Sequence, residues 1–208
     1  MQYRTIRAAA SAEFVEKRSR FIGYISPVTA QQDAIAFIDS IKSKHWDATH
    51  NVPAYIIREG NICRFSDDGE PQGTAGHPML HVLQMRKLTN VLAVVTRYFG
   101  GIKLGAGGLT RAYSGALSDA VKAAPIVTYT PYARYTVTLP YTAVGGFENY
   151  IKDKDIRVLD RAFTAEVQVT FLTLPEEAKT HLKFLTDLTG GKAVIEEDGE
   201  EYVKVREW

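Results

Sequence analysis

An α+β protein of two domains is the architecture this sequence predicts, and three observations carry the prediction. Runs of period-two apolar alternation trade places with runs of helical spacing along the whole chain. The two parts of the chain also differ in charge. Residues 1–130 hold 15 Lys+Arg against 10 Asp+Glu and residues 131–208 hold 10 against 14, although the 208-residue chain is only +1 overall. Finally, Pro125 and Pro131 punctuate a connector, and the order βαββαβ follows it in about 75 residues, the split-βαβ, ferredoxin-like arrangement. The predicted domains are 1–130 and 131–208.

The first domain begins with extended runs around 3–9 and 21–28. Between them lies a stretch with the basic cluster Lys17, Arg18 and Arg20, read either as a phosphate contact or as a solvated hairpin edge. Thr29 is the predicted N-cap of a helix that carries Ala34, Ile35, Phe37, Ile38 and Ile41 on one face and ends near His45-Trp46. The polar run 47–51 follows as a loop, with His50 as a candidate functional histidine against a structural one. Strands at 54–58 and 61–65 form a hairpin turning at Glu59-Gly60. The second strand leads into 66–76, where Asp67, Asp68 and Glu70 fall within four positions among three glycines and a proline. Pro78 suits the first turn of a helix with Met79, Leu80, Val82 and Leu83, closing at Lys87.

A strand at 91–95 then enters the densest glycine stretch in the chain. Residues 97–111 hold five of the 16 glycines and the cations Arg97, Lys103 and Arg111. The helix that leaves it places Leu109, Ala112, Tyr113, Ala116, Leu117, Ala120 and Val121 at helical spacing. Amides at a helix N-terminus together with cations make an anion site. The loop has no Gly-Lys-Ser/Thr ending, and where Gly-x-Gly-x-x-Gly would need its third glycine stands Thr110, so it is neither a Walker motif nor a dinucleotide fingerprint. Tyr98, Phe99 and Tyr113 are either stacking faces for bases or core.

In the second domain the predicted elements are strands at 135–139, 156–160 and 165–172, helices at 142–154 and 176–188, and a stop at Gly190-Gly191. The last extended residues, 192–197 and 201–205, form either a hairpin turning at Asp198-Gly199 or one interrupted strand.

Three readings of the acidic stretch stay open: a metal site, general acid/base chemistry, or a structural role in which Asp67 or Asp68 caps backbone amides or pairs with Arg97 or Arg111. The Asp-Asp-x-Glu spacing does not match the calcium loop. His77 and His81 are four apart but lack the intervening glutamate of His-Glu-x-x-His. The lone cysteine, Cys63, excludes a disulfide framework and a Cys-based zinc site within one chain. No apolar run approaches the roughly 18 residues that span a membrane, and the first residues lack a signal-peptide pattern. A cytoplasmic protein with no membrane partner is expected.

Four segments strongly resemble the IMPACT family: Arg18-Ser-Arg-Phe21, His45-Trp-Asp-Ala-Thr-His-Asn51, Ser66-Asp-Asp-Gly-Glu-Pro71 with Gly73-Thr-Ala-Gly76, and the run from Thr96 to Leu109 with Arg111-Ala-Tyr113. They cover about residues 17–125 and look closest to the bacterial, YigZ-like branch. The resemblance implies a first domain similar to domain 2 of ribosomal protein S5. It implies a second domain similar to the last domain of the translocation elongation factor. It also implies a role in translational regulation, which in eukaryotic relatives opposes activation of the kinase that phosphorylates initiation factor 2. His77 and His81 stand where a basic and an acidic residue are expected, so neither is carried over as a family site.

The expected function is therefore translation-associated regulation by binding. The partner is RNA, the ribosome or a translation factor, and no catalytic residue, metal or cofactor is assigned. The alternatives are a nucleotide- or metal-dependent hydrolase or phosphotransferase using the same loops, and a purely protein-binding regulator. The expected contact surface takes Arg97, Lys103 and Arg111 for phosphate and Tyr98 or Tyr113 for stacking, with Asp67, Asp68 and Glu70 ordering the surface or holding a cation. Arg64, His50, Gly73, Thr74, Gly100, Gly101, Gly105, Gly107 and Gly108 complete it.

Overall fold

The computed structural model describes residues 1–207 and is α+β throughout. It divides into two compact units. One holds Tyr3–Thr128 together with the last residues from Val205; the other holds Tyr129–Lys204 with Met1–Gln2.

The first unit is built on an antiparallel five-stranded sheet. Its strands are β2 (Ala10–Glu16), β3 (Ser19–Pro27), β4 (His50–Ile57), β5 (Ile62–Phe65) and β6 (Val91–Tyr98), in the order β2-β3-β6-β4-β5. A short β1 (Tyr3–Ile6) precedes them. The helices are α1 (Gln31–Lys44), α2 (Gly76–Met85) and α3 (Ala106–Ala123). Central β6 shows why the sheet needs cover on both faces. Val91, Ala93 and Val95 belong to the core that includes α2 and α3, whereas Leu92 and Val94 belong to the one that includes α1. Successive strand side chains point to opposite faces, so a strand buried on both sides reads as one continuous apolar run. All seven residues predicted for the inner face of α3 are buried.

Three local expectations change. The first extended run is not one strand at 3–9 but β1 and a separate β2, whose small Ala10 and Ala12 alternate inward with Phe14. The β2–β3 turn is made by Lys17 (φ 46°) and Arg18 (φ 65°), left-handed positions filled here without glycine. Thr29 does not cap α1, whose N-cap is Ala30 with no side-chain hydrogen bond. The connector after Pro125 is already strand. Its β-branched and aromatic residues form β7 (Ile126–Leu139), and pairing with the next strand of that sheet starts at Ala133, beyond Pro131.

The second unit adds α4 (Tyr141–Ile151), β8 (Ile156–Phe163), β9 (Val167–Thr173), α5 (Pro175–Leu188) and, up to Lys204, the strand β10 (Val194–Glu207). With β10 beside β7 and the path β7-β9-β8, the order is that of a ferredoxin-like split βαβ. Its core gathers Val137, Leu139, Phe147, Val169, Phe171 and Leu185. β10 is one strand that passes through Gly199 at φ 88° rather than a hairpin. Among the described residues no helix is long and apolar enough to cross a membrane.

Candidate functional site

The loop between β5 and α2 and the loop between β6 and α3 line one cleft in the first unit. The acidic loop is held from within. Asp67 Oδ1 accepts the amides of Ala75 (3.1 Å) and Gly76 (2.8 Å), and Oδ2 accepts that of Gly73 (2.8 Å). Partial burial pushes the Asp67 carboxyl upward. The donors from Gly73, Gly76 and Ala75, with His77 nearby, outweigh it and hold the group below the usual carboxylate range. Asp68 accepts the Asn51 amide at 2.7 Å and Lys42 Nζ at 3.0 Å. Thr74 donates to the Pro71 carbonyl at 2.7 Å.

Glu70 is the buried hub. Its Oε1 accepts Arg97 Nη1 at 2.6 Å and the Tyr113 hydroxyl at 2.7 Å. Glu70 is 8% exposed and Arg97 5%. The rings of Phe21 and Phe99 both lie against the guanidinium, their centroids 5.5 and 5.3 Å from its central carbon. Burial first, then the bond to Glu70, raises the Tyr113 hydroxyl far above its ordinary pKa, so Tyr113 stays a neutral donor. All three acidic side chains thus have positioning partners, and amide capping by Asp67 is as the structural reading had it. The partner of Arg97 is Glu70 rather than Asp67 or Asp68. Two assigned roles need correction. Arg97 sits in a buried ion pair instead of presenting a free charge to phosphate. Tyr113 has no exposed face for a base, because it packs edge-on against Phe21 in the core.

His50 opens β4 instead of lying in a loop. Its Nδ1–H donates to the Asp68 carbonyl at 2.7 Å, so in the neutral ring Nε2 carries the lone pair, 3.8 Å from Glu70 Oε2. Gly100 must be glycine, since a Cβ there would stand 2.0 Å from the backbone of Arg18. That approach lets Ser19, fully buried, accept the Gly100 amide at 3.2 Å. The β2–β3 turn is in this way tied to the glycine loop, a role for Ser19 signalled only by a buried serine inside a cationic run.

Around the glycine loop the pieces are freer. Lys103 is exposed and lines the cleft with Phe99, Gly105 and Ala106. The cleft encloses ≈ 400 Å³. Gly105 is the N-cap of α3 at φ 74°, and no side chain caps the helix. Its first backbone bond is Leu109 N–H to the Gly105 carbonyl, 2.9 Å. The amides of Ala106, Gly107 and Gly108 precede that ladder and carry the positive end of the helix. Gly101 takes φ 83° and Gly73 φ 77°, both at open turns. Arg111 lies on the other side of the α3 N-terminus, in a second groove with Phe14, Lys17 and Gly108. Arg64 is exposed and donates to the Cys63 carbonyl at 3.0 Å. His77 and His81 are exposed on α2.

Tyr98 anchors a relay absent from the expected site. Its hydroxyl donates to Asp47 Oδ1 at 3.1 Å and therefore accepts from His45 Nδ1–H at 2.8 Å, while His45 Nε2 accepts from the Tyr24 hydroxyl at 2.7 Å. Burial first, then the Lys44 and Arg20 charges, lowers the His45 pKa, with Asp47 opposing. The unfolded chain then binds the proton better, so stability rises with pH across this interval. The His45 contribution is fully present above its unfolded value of about 6.5 and is lost as pH falls through the folded value. Urea midpoints should drop between pH 7 and 5, and His45→Gln should flatten that slope; an unchanged slope contradicts the assignment.

Residues 17–121 match the model of the Impact N-terminal domain, and residues 137–192 match a domain of unknown function, DUF1949. The chain is 42% identical over 198 residues to the IMPACT family member YvyE of Bacillus subtilis, covering 94% of this chain and 90% of that one. It is 37% identical to the IMPACT family member YigZ of Escherichia coli, covering 76% and 80%. A crystal structure described as that of a hypothetical protein superposes with a TM-score of 0.61 at 30% identity, covering 93% of this chain and 96% of that one. On these similarities over both of its units, the chain belongs to the IMPACT family.

Proposed function

We propose that this protein is a translation-associated regulator that acts by binding, and that loops 64–76 and 97–111 form its contact surface for RNA, met free, on the ribosome or with a translation factor. One observation carries the reading: the uncapped N-terminus of α3 opens into a cleft beside the exposed Lys103. Helix amides and a mobile ammonium suit phosphate oxygens. The first 130 residues hold the positive excess of the chain, 15 basic against 10 acidic side chains, which favours approach of an anionic strand. Phe99, 46% exposed at the cleft, offers a ring for a base. Asp67, Asp68 and Glu70 serve to shape the surface, and their existing partners favour this reading over a hydrolase that needs carboxylates free for a metal.

Lys103→Glu is the test. Lys103 has an exposed side chain, so reversing its charge leaves the fold intact. Filter binding with single-stranded RNA across a salt series should show weaker affinity and a log–log salt slope shallower by about 1. Unchanged affinity and slope would end the RNA version and favour a protein partner.

A further inference from the structure

The turn that follows α1 is fixed in place and yet leaves its largest side chain in solvent. Trp46 is 83% exposed. The backbone around it is tied down on both sides. The Ala48 amide donates to the His45 carbonyl at 3.0 Å, and the Thr49 amide donates to the Arg97 carbonyl at 2.9 Å. The Thr49 hydroxyl accepts the Phe99 amide at 3.0 Å, and His45 and Asp47 both bond the Tyr98 hydroxyl. A single exposed apolar residue needs no explanation. Here a second ring stands on the adjoining loop, because the Thr49 bond holds Phe99, 46% exposed, beside the turn. An indole has few rotatable bonds, so a partner that covers it orders little.

The rings are framed by cations without carboxylate partners. Lys44 precedes the turn, exposed, with its ammonium 5.3 Å from the Tyr24 ring centroid. Lys17 and Arg18, also exposed, form the β2–β3 turn, and the backbone of Arg18 lies against Gly100, next to Phe99. None of the ion pairs among the described residues involves Lys17, Arg18 or Lys44. Arg20 differs, since Glu13 holds it at 2.7 Å. Asp47, the acid of the turn, is the acceptor of the Tyr98 hydroxyl. A protein partner that buries rings such as these is expected to meet them in an apolar setting, with charges at the rim. Rings standing among unpaired cations fit a polymer that is anionic along its backbone and carries flat faces free to stack, which is single-stranded nucleic acid. A duplex keeps those faces inside its own stack.

We propose that the turn 45–49 is a base-stacking platform for single-stranded RNA, with one base on Trp46 and the backbone phosphates held by Lys44 and Arg18. The inference rests on the RNA reading of the neighbouring loops and extends that surface beyond 64–76 and 97–111. A bound strand then stacks at least one base on Trp46 and another on Phe99. Every base has a face to stack, so the platform tolerates any sequence. Stacking is not ionic, whereas Lys44 contributes salt dependence, so the two contributions separate in a titration.

The chain has two tryptophans, and Trp208→Phe leaves Trp46 as the single one. The full-length Trp208→Phe protein would be titrated with single-stranded oligouridylate and followed by intrinsic fluorescence and by filter binding. Trp46 emission is expected to be quenched along the same isotherm that filter binding gives. Trp46→Ala in the otherwise unaltered chain should weaken binding about fivefold or more, the effect of losing one stacked base. Trp46 is 83% exposed, so its replacement leaves the core intact. The salt slope of Trp46→Ala should match that of the unaltered chain, and Trp46→Phe, which keeps a ring, should recover most of the affinity. Lys44→Ala should make the slope shallower by about 1. An unquenched Trp46, with Trp46→Ala binding as tightly as the unaltered chain, overturns the platform and leaves the RNA reading of the glycine loop standing. Binding of a duplex as tight as that of the single strand overturns the platform as well. No binding of the single strand overturns both readings, and a Trp46 emission that responds only to vesicles of anionic phospholipid gives the exposed ring to a membrane surface instead.

Discussion

Glu70→Ala is expected to destabilise the first unit by about 3–5 kcal/mol, the cost of leaving one member of a buried ion pair without the other. The substitution strands the Arg97 guanidinium in a site 5% exposed and takes the acceptor from the Tyr113 hydroxyl. Glu70→Gln should lose less, since its amide oxygen still accepts both donors. The order wild type, Gln, Ala in urea midpoint distinguishes an ion-pair hub from a merely space-filling side chain. If Ala falls within about 1 kcal/mol of wild type, the hub is not holding the two loops together. The same substitution should reduce binding through the glycine loop, because the buried pair that ties the acidic loop to the end of β6 beside the cleft is then broken.

Asp67→Ala carries the next largest expected loss, about 2–4 kcal/mol, as three loop and helix amides lose one shared acceptor. Gly76 opens α2 and Ala75 is its N-cap, so the damage reaches the helix start as well as the loop. Amide hydrogen exchange at Gly73, Ala75 and Gly76 should accelerate, while amides of β6 keep their protection until global unfolding. The pH dependence follows from the depressed pKa of Asp67. The native state binds this proton less readily than the unfolded chain, whose value is about 3.9. Its contribution is fully present above that pH and is lost as pH falls through the folded value. Asp67→Asn should therefore flatten the acid limb of stability; an unaltered limb would remove Asp67 from the list of groups that drive it.

Much of the frame is legible in the residues. β6 reads correctly because 91–95 is apolar without interruption, and α3 because its seven inner residues keep helical spacing. β2 is not visible because Ala10 and Ala12 give a weak alternation signal, and the turn that pairs it with β3 has no glycine to announce it. The site is legible as two loops and not as a circuit. Composition places charges near one another in sequence, but Glu70 meets Arg97 across 27 positions and Tyr113 across 43, and those pairings come from packing. Tyr113 illustrates the limit: its position in the helical stripe marks core, its place beside a glycine loop marks surface, and the stripe decides. Ser19 and His45 lie within segments the family resemblance covers, yet their roles depend on contacts to Gly100 and Tyr98 that sequence spacing does not encode.

The central claim is that the two loops of the first unit form the contact surface. Its most direct test is an amide NMR titration of the isotopically labelled full chain with a short single-stranded oligoribonucleotide. The account predicts shifts concentrated at Phe99–Leu109 and at the loop before α2, with residues 135–188 unmoved. Shifts confined to the second unit, or none at saturating RNA, would contradict it.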